Sequence, residues 1–108
     1  MACRSEERAK AAKAKLELQY PNAKGKLRIA SLDVTSNKSC DSFFSFIKNE
    51  YGQVDVLVNN AGILIEVDNN TEELSRKVCQ VNYFGTVYLS ENMIPLIKEN
   101  GKIITVGS

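Results

Sequence analysis

The feature that most limits how this chain can fold is a regular alternation of helical and extended patterns along its 108 residues. Residues 54–58 form a nearly continuous apolar run rich in valine, which is typical of a strand covered on both faces by helices. Residues 27–34 and 102–106 are also predicted as strands, and a helical pattern precedes each of the three. This order predicts an α/β fold with a parallel sheet and right-handed helical crossovers.

Two of the predicted helices lie before the apolar run. Residues 5–18 are rich in Ala, Lys, Glu and Leu, which favour helix, and this helix is expected to stop near Tyr20. The second helix is expected to begin at an N-cap formed by Thr35 or Ser36 and to end at Gly52.

The third predicted helix is the longest, running from about Thr71 to a stop at Gly101. Asn82 interrupts its apolar face, although asparagine has poor helix propensity, so its amide is predicted to be buried and to need hydrogen-bond partners. Apolar residues and one glycine recur on this face at steps of three and four: Leu74, Val78, Val81, Gly85, Leu89 and Met93.

Composition excludes several classes of partner. Fourteen basic and thirteen acidic residues give a net charge of +1, so no overall field favours nucleic acid or an anionic membrane. Three cysteines at long spacing and no histidine support neither a metal site nor a disulfide framework. With no apolar run long enough to span a bilayer, we expect a cytoplasmic protein whose cysteines are reduced and buried.

Polar and small residues follow the predicted strands at Val34, Val58 and Val106. In a parallel α/β sheet, ligands bind beyond the carboxyl ends of the strands, so these positions are candidate binding positions. Residues 59–62 have the sequence Asn-Asn-Ala-Gly, which supplies side-chain amides and lets a ligand approach the backbone closely. The same four residues are equally typical of a hydrophilic turn with no ligand.

Taken together, these motifs resemble those of the short-chain dehydrogenases/reductases. The resemblance is to the carbonyl reductases in particular, and it rests on residues 50–63, 82–86, 94–98 and 101–108. It implies a partial Rossmann-type doubly wound parallel sheet with three α/β/α layers, lacking the first strand and the C-terminal strands. Residues 1–108 are then a single incomplete NAD(P)-binding domain.

The resemblance assigns cofactor contacts to two segments. Asp33 is expected to accept a hydrogen bond from the adenine amine, and the Val34 backbone N–H to reach a ring nitrogen. Asn60, Ala61 and Gly62 are expected to pass close to the adenosine ribose. For Asp33 the alternative is a helix cap, because a carboxylate before a helix accepts backbone N–H groups.

Arg4 bears on which nicotinamide cofactor is used. It follows what resembles the end of a strand, where a basic residue in the family holds the 2′-phosphate of NADP. Guanidinium forms bidentate, charge-assisted bonds to phosphate oxygens, so NADPH is expected as cofactor. The alternative is a solvated arginine at the entry to a helix.

Two residues are expected to serve catalysis by resemblance. Asn82 is expected to kink its helix and to hold a water molecule in a proton relay, the alternative being an asparagine satisfied by a nearby backbone group. Ser108 matches the serine that bonds the substrate carbonyl oxygen and stabilises the charge that develops there.

The implied function is hydride transfer from NADPH to a ketone, aldehyde or quinone carbonyl, so the expected partner is a small carbonyl compound. Family members also carry a glycine-rich turn and a later Tyr-x-x-x-Lys motif, and neither lies within residues 1–108. We therefore expect a truncated product or an incomplete gene model that is inactive alone. The absent first strand would leave the strands at 27–34 and 54–58 separated, with apolar surfaces exposed.

A second hypothesis is a non-catalytic remnant that binds nucleotide weakly or associates with another subunit. Monomer and homo-oligomer both stay open for the family. Some carbonyl reductases also bind glutathione conjugates beside the Asn-Asn-Ala-Gly turn. Here Glu66 would repel glutathione carboxylates, so that activity is not expected.

Overall fold

The computed structural model describes residues 1–65 and 71–107. The chain divides into two compact units, Met1–Asp33 and Val34–Ser108, and each is described by itself. Glu66 and Ser108, for which the sequence suggested roles, lie outside the described residues.

The first unit is a helix between two short parallel strands. Its elements are β1 (Ala2–Cys3), α1 (Glu6–Gln19), a 3-10 turn (Pro21–Ala23) and β2 (Ala30–Ser31). Ser5 caps α1 by accepting the backbone N–H of Arg8 at 3.3 Å. The strand predicted over residues 27–34 forms only at Ala30–Ser31, because β1 offers just Ala2 and Cys3 for pairing.

The second unit carries a second pair of parallel strands. Its strands are β3 (Val54–Asn59) and β4 (Ile97–Thr105), which pair from Val54 opposite Ile97 to Asn59 opposite Thr105. Its helices are α2 (Asn37–Glu50), α3 (Glu72–Cys79), a π-helical segment (Gln80–Gly85), α4 (Thr86–Met93) and a 3-10 turn (Ile94–Leu96). Within the described residues, β2 and β3 belong to different sheets, as expected from the sequence.

Helix α2 begins and ends as its sequence predicts. Ser36, rather than Thr35, is the N-cap, and its hydroxyl accepts the Ser39 backbone N–H at 3.2 Å. After the helix, Gly52 adopts a φ of 73°, and its N–H bonds the carbonyls of Ile47 and Lys48. A left-handed residue after the last turn is the usual way to satisfy helix carbonyls, and glycine adopts it without strain.

The prediction that the long helix ends at Gly101 is wrong. The helix ends at Met93, two residues before Pro95, which lacks the N–H that an α-helix needs. Gly101 instead lies inside β4, beside a register shift opposite Val54 and Val56. A Cβ at Gly101 would stand 2.5 Å from Ile97 Cγ2 and 2.8 Å from the Lys98 carbonyl oxygen, both in β4, and 2.9 Å from the Asp55 carbonyl oxygen in β3. This position therefore needs glycine.

One face of the β3–β4 pair packs against α4, and the opposite face is open. Buried side chains of α4 and the turn after it, Leu89, Met93 and Leu96, form the core of the second unit together with Cys40. On the open face, alternate residues of both strands are between 45% and 59% exposed: Val56, Val58, Ile104 and Val106. In this chain, the prediction that helices cover both faces of the strand at residues 54–58 is therefore wrong, because Val56 and Val58 are 45% and 53% exposed.

The cysteines differ in exposure, and no disulfide joins them. Cys40 is buried and Cys3 is half-buried, but Cys79 is exposed, so the prediction of buried thiols is wrong at Cys79. Cys79 ends α3 on the side away from the apolar stripe, which explains its exposure. In the part of the chain that the structure describes, no helix combines the length and the apolar character needed to cross a bilayer.

A hydrogen bond between α2 and α4 predicts a pH dependence of stability at alkaline pH. The Tyr88 hydroxyl donates to Asp41 Oδ1 at 2.9 Å, and this bond raises the pKa of Tyr88 above its ordinary value of 10.0. The stabilisation is present below pH 10 and is lost as the pH rises through the raised pKa of the folded state. In urea unfolding from pH 7 to 12, the free energy of unfolding should therefore fall more steeply at alkaline pH for wild type than for Tyr88→Phe. Parallel plots of the unfolding free energy against pH would contradict this prediction.

Candidate functional site

The turn that follows β3 begins at a buried asparagine. Asn59 is only 6% exposed, and its side-chain Nδ2 donates to the hydroxyl of Ser90 on α4 at 2.8 Å. Its backbone carbonyl accepts the Val106 N–H at 2.9 Å, which extends the β3–β4 ladder. The next three residues, 60–62, are exposed. The strand therefore delivers Asn60, Ala61 and Gly62 to the surface from a fixed starting point.

A second asparagine fixes the other end of the turn. Asn82 Oδ1 accepts the Ile63 N–H at 2.8 Å, and Asn82 Nδ2 donates to the Ile63 carbonyl at 2.9 Å. The Asn82 carboxamide thus bonds both the N–H and the carbonyl of Ile63, as the backbone of a paired strand would. We call residues 59–63 the asparagine turn, because an asparagine side chain holds each end.

The surroundings of Asn82 differ in part from the prediction. It lies in the π-helical segment Gln80–Gly85, the kind of irregular turn at which helices kink, and the kink itself stays a prediction. The prediction of a buried amide is wrong: Asn82 is exposed, because the asparagine turn covers its carboxamide without burying the whole residue. Its polar atoms are satisfied by backbone, as the structural alternative held, and a water relay stays a prediction.

Gly85 determines where the Val34 backbone lies. Gly85 is buried, and a Cβ added to it would stand 2.6 Å from the Val34 carbonyl oxygen and 3.0 Å from Val34 Cβ. Only glycine allows the chain to lie this close to the helix. The proposed adenine contact at Val34 thus depends on a residue 51 positions further along the sequence.

Gly62 contrasts with Gly85, because nothing in the described protein requires glycine there. Its φ lies outside the left-handed region, and an added Cβ would meet only Asn82 Oδ1 at 3.5 Å, an ordinary contact. Neither backbone strain nor packing excludes a larger residue.

The two remaining cofactor residues belong to the first unit. Asp33 follows β2 and is half-buried, and the N-cap of α2 is Ser36 rather than Asp33. Arg4 lies between β1 and Ser5, the N-cap of α1, and is exposed. A guanidinium at this point can receive an anion from solvent without burying its charge.

Sequence reasoning missed three residues that position the site: Asn59, Gly85 and Ser90. Asn59 carried a signal, because a carboxamide ending a valine-rich strand needs a partner if it is buried. Gly85 carried another, since a glycine inside a helix costs stability and so indicates a close contact. Ser90 carried no signal, because its role depends on a contact with a residue 31 positions away.

Parallel strands joined through helices, with a small-residue turn at the carboxyl end of β3, define a partial Rossmann-type fold. The profile of the short chain dehydrogenase family matches residues 1–108. The mouse protein named carbonyl reductase [NADPH] 1 is 36% identical over 110 residues, which cover 100% of this chain and 38% of that protein.

Solved structures give the same result. A short-chain dehydrogenase from Streptomyces avermitilis matches with a TM-score of 0.78 and 30% identity, over 99% of this chain and 38% of that one. Menthone neomenthol reductase from Mentha piperita has a TM-score of 0.88 at 24% identity, covering 100% and 50% respectively, which supports the fold. The chain therefore belongs to the short-chain dehydrogenase family and spans well under half the length of the mouse relative.

The contrast between the two glycines predicts stability effects of different size. Gly85→Ala forces a methyl group against the Val34 carbonyl, and overpacking of this kind costs about 1–3 kcal/mol. Alanine returns at most about 1 kcal/mol of helix propensity. We expect a net destabilisation of about 1–2 kcal/mol in urea unfolding, against about 0.5 kcal/mol or less for Gly62→Ala. Equal effects at both positions would contradict the assignment.

Proposed function

We propose that the protein containing this segment is an NADPH-dependent carbonyl reductase that transfers hydride to a ketone, aldehyde or quinone. The observation that carries the proposal is the asparagine turn, which presents Asn60, Ala61 and Gly62 at the carboxyl end of β3. The mouse relative is named for the same activity, which supports the choice within the family.

The adenosine end of NADPH is assigned to residues that follow β2 and β3. We propose that Asp33 accepts the adenine amine and that the Val34 N–H bonds a ring nitrogen. The backbone of Ala61 and Gly62 then lies against the ribose. The absence of any internal need for glycine at position 62 supports this contact.

Preference for NADPH over NADH is assigned to Arg4. Its exposed guanidinium can form two parallel hydrogen bonds to the oxygens of the 2′-phosphate. NADH lacks that phosphate, so it gains nothing from the arginine. Charge therefore favours the phosphorylated cofactor at this position.

A place in the proton relay is assigned to Asn82, and polarisation of the substrate carbonyl is assigned to Ser108. Both polar atoms of the Asn82 side chain already bond Ile63, so we assign the relay water to a backbone carbonyl of the π-helical segment. A π-helical turn disturbs the regular bonding of helix carbonyls and frees such an acceptor. Ser108 donates to the substrate oxygen as negative charge develops there. NADPH itself supplies the hydride.

Arg4 gives a direct test of cofactor choice. Replacing it with alanine removes charge-assisted bonds, so Arg4→Ala should weaken NADPH binding by roughly 10- to 100-fold. NADH binding should change by less than about twofold. The matched control is Arg28→Ala, which removes the same charge at the opposite end of β2 from Asp33. Fluorescence titration with both cofactors measures the effects, and an equal loss for NADH would refute the assignment.

Turnover separates the reductase from the non-catalytic alternative. The complete protein should oxidise NADPH when supplied with a quinone or an aldehyde, as followed by absorbance of the reduced nicotinamide. A polypeptide limited to residues 1–108 should show no turnover. If the complete protein binds NADPH but oxidises it with no carbonyl substrate, the result would favour the non-catalytic, nucleotide-binding alternative.

A further inference from the structure

Ser90 is half-buried in α4 and bonds the first residue of the asparagine turn. Its hydroxyl lies 2.8 Å from Asn59 Nδ2, across 31 residues of sequence. Leu89 on one side of it is 4% exposed, and Met93 in the next turn of α4 is 1% exposed. Side chains packed in a core hold fixed positions, so α4 presents the Ser90 hydroxyl as a rigid acceptor.

Asn59 needs this acceptor because the residue is buried, with only 6% of its surface exposed. Its backbone is committed to the β3–β4 ladder and to Val106, so the residue cannot turn outwards to hydrate its amide. Without the serine oxygen, the carboxamide must rotate or admit water beside the core. Either response moves the backbone that continues directly into Asn60.

The two ends of the asparagine turn are held independently. Among the residues that the structure describes, Asn82 bonds Ile63 at the far end, and Asn59 is fixed from α4. Losing the Ser90 hydroxyl therefore releases one end and keeps the other. The asparagine turn still forms when it is held at one end, but its exposed residues, 60–62, then adopt more than one conformation.

We propose that Ser90 is a positioning residue for nucleotide binding: through Asn59 it fixes the turn whose backbone lies against the ribose of NADPH. The proposal rests on the proposed function, and it adds a position on α4 that acts on nucleotide binding through Asn59.

Ser90→Thr and Ser90→Val form a matched pair for the test. Threonine and valine have the same shape and similar rotamer restrictions in a helix, but only threonine keeps the hydroxyl. In the complete protein, NADPH should bind Ser90→Val about five- to tenfold more weakly than Ser90→Thr, as measured by fluorescence titration. Ser90→Ala should resemble valine, and it replaces valine if that variant does not fold. Equal affinities in the three variants would overturn the proposal.

A second measurement needs no ligand and separates this proposal from the proposed function. In NMR spectra of wild type and Ser90→Thr, the side-chain amide of Asn59 should give two well-separated proton signals. In Ser90→Val those signals should move towards the position of exposed asparagines, and the backbone signals of Asn60 and Ala61 should shift. If wild type binds no NADPH, the proposed function fails, and these signals alone decide whether Ser90 controls the turn. Unchanged signals overturn that control.

Discussion

The parallel pairing of β3 with β4 is the constraint on which the second unit depends. The ladder places Asn59 opposite Thr105, and the Asn59 carbonyl accepts a hydrogen bond from the Val106 N–H. Because side chains alternate along a strand, that register turns the Asn59 amide towards α4 and turns the neighbouring valine side chains away. A shift of one residue would bury a valine where the amide now meets Ser90, and the asparagine turn would lose its anchor.

Local signals determine most of the helix boundaries and few of the strand boundaries. The caps at Ser5 and Ser36 and the stop at Gly52 depend on neighbouring residues, and the sequence predicts all three regions. The extent of β2 depends on its partner, so a pattern that is extended over eight residues becomes a strand of two. Pro95, in the turn after α4, marks the helix end through its own missing N–H, which is a local signal. Gly101 marks no helix end, because glycine is needed there for close contacts within the β3–β4 pair.

The candidate site likewise combines residues that the sequence reveals with residues whose roles depend on contacts made in the folded chain. The exposed residues Asn60, Ala61 and Gly62 form a recognisable motif, and their place after β3 follows from the alternation of helices and strands. The residues that fix this motif, Ser90 and Asn82, reach it only when the chain is folded. Gly85 likewise acts only in the folded chain, because its missing side chain leaves room for the backbone of Val34, which is distant in sequence. Sequence therefore predicts what the turn presents, and folding determines what holds it.

The π-helical segment has a consequence for how insertions and deletions act on this protein. Leu74 and Met93 lie 19 residues apart on one apolar face, whereas five regular α-helical turns take about 18 residues. The wider turns of the segment absorb the surplus residue, so α3 and α4 stay in phase. Deleting one residue there would convert the segment to regular helix without rotating α4, but removing one from either flanking helix would swing its face by about 100°. The irregular stretch is thus where the long helix best tolerates a change in length.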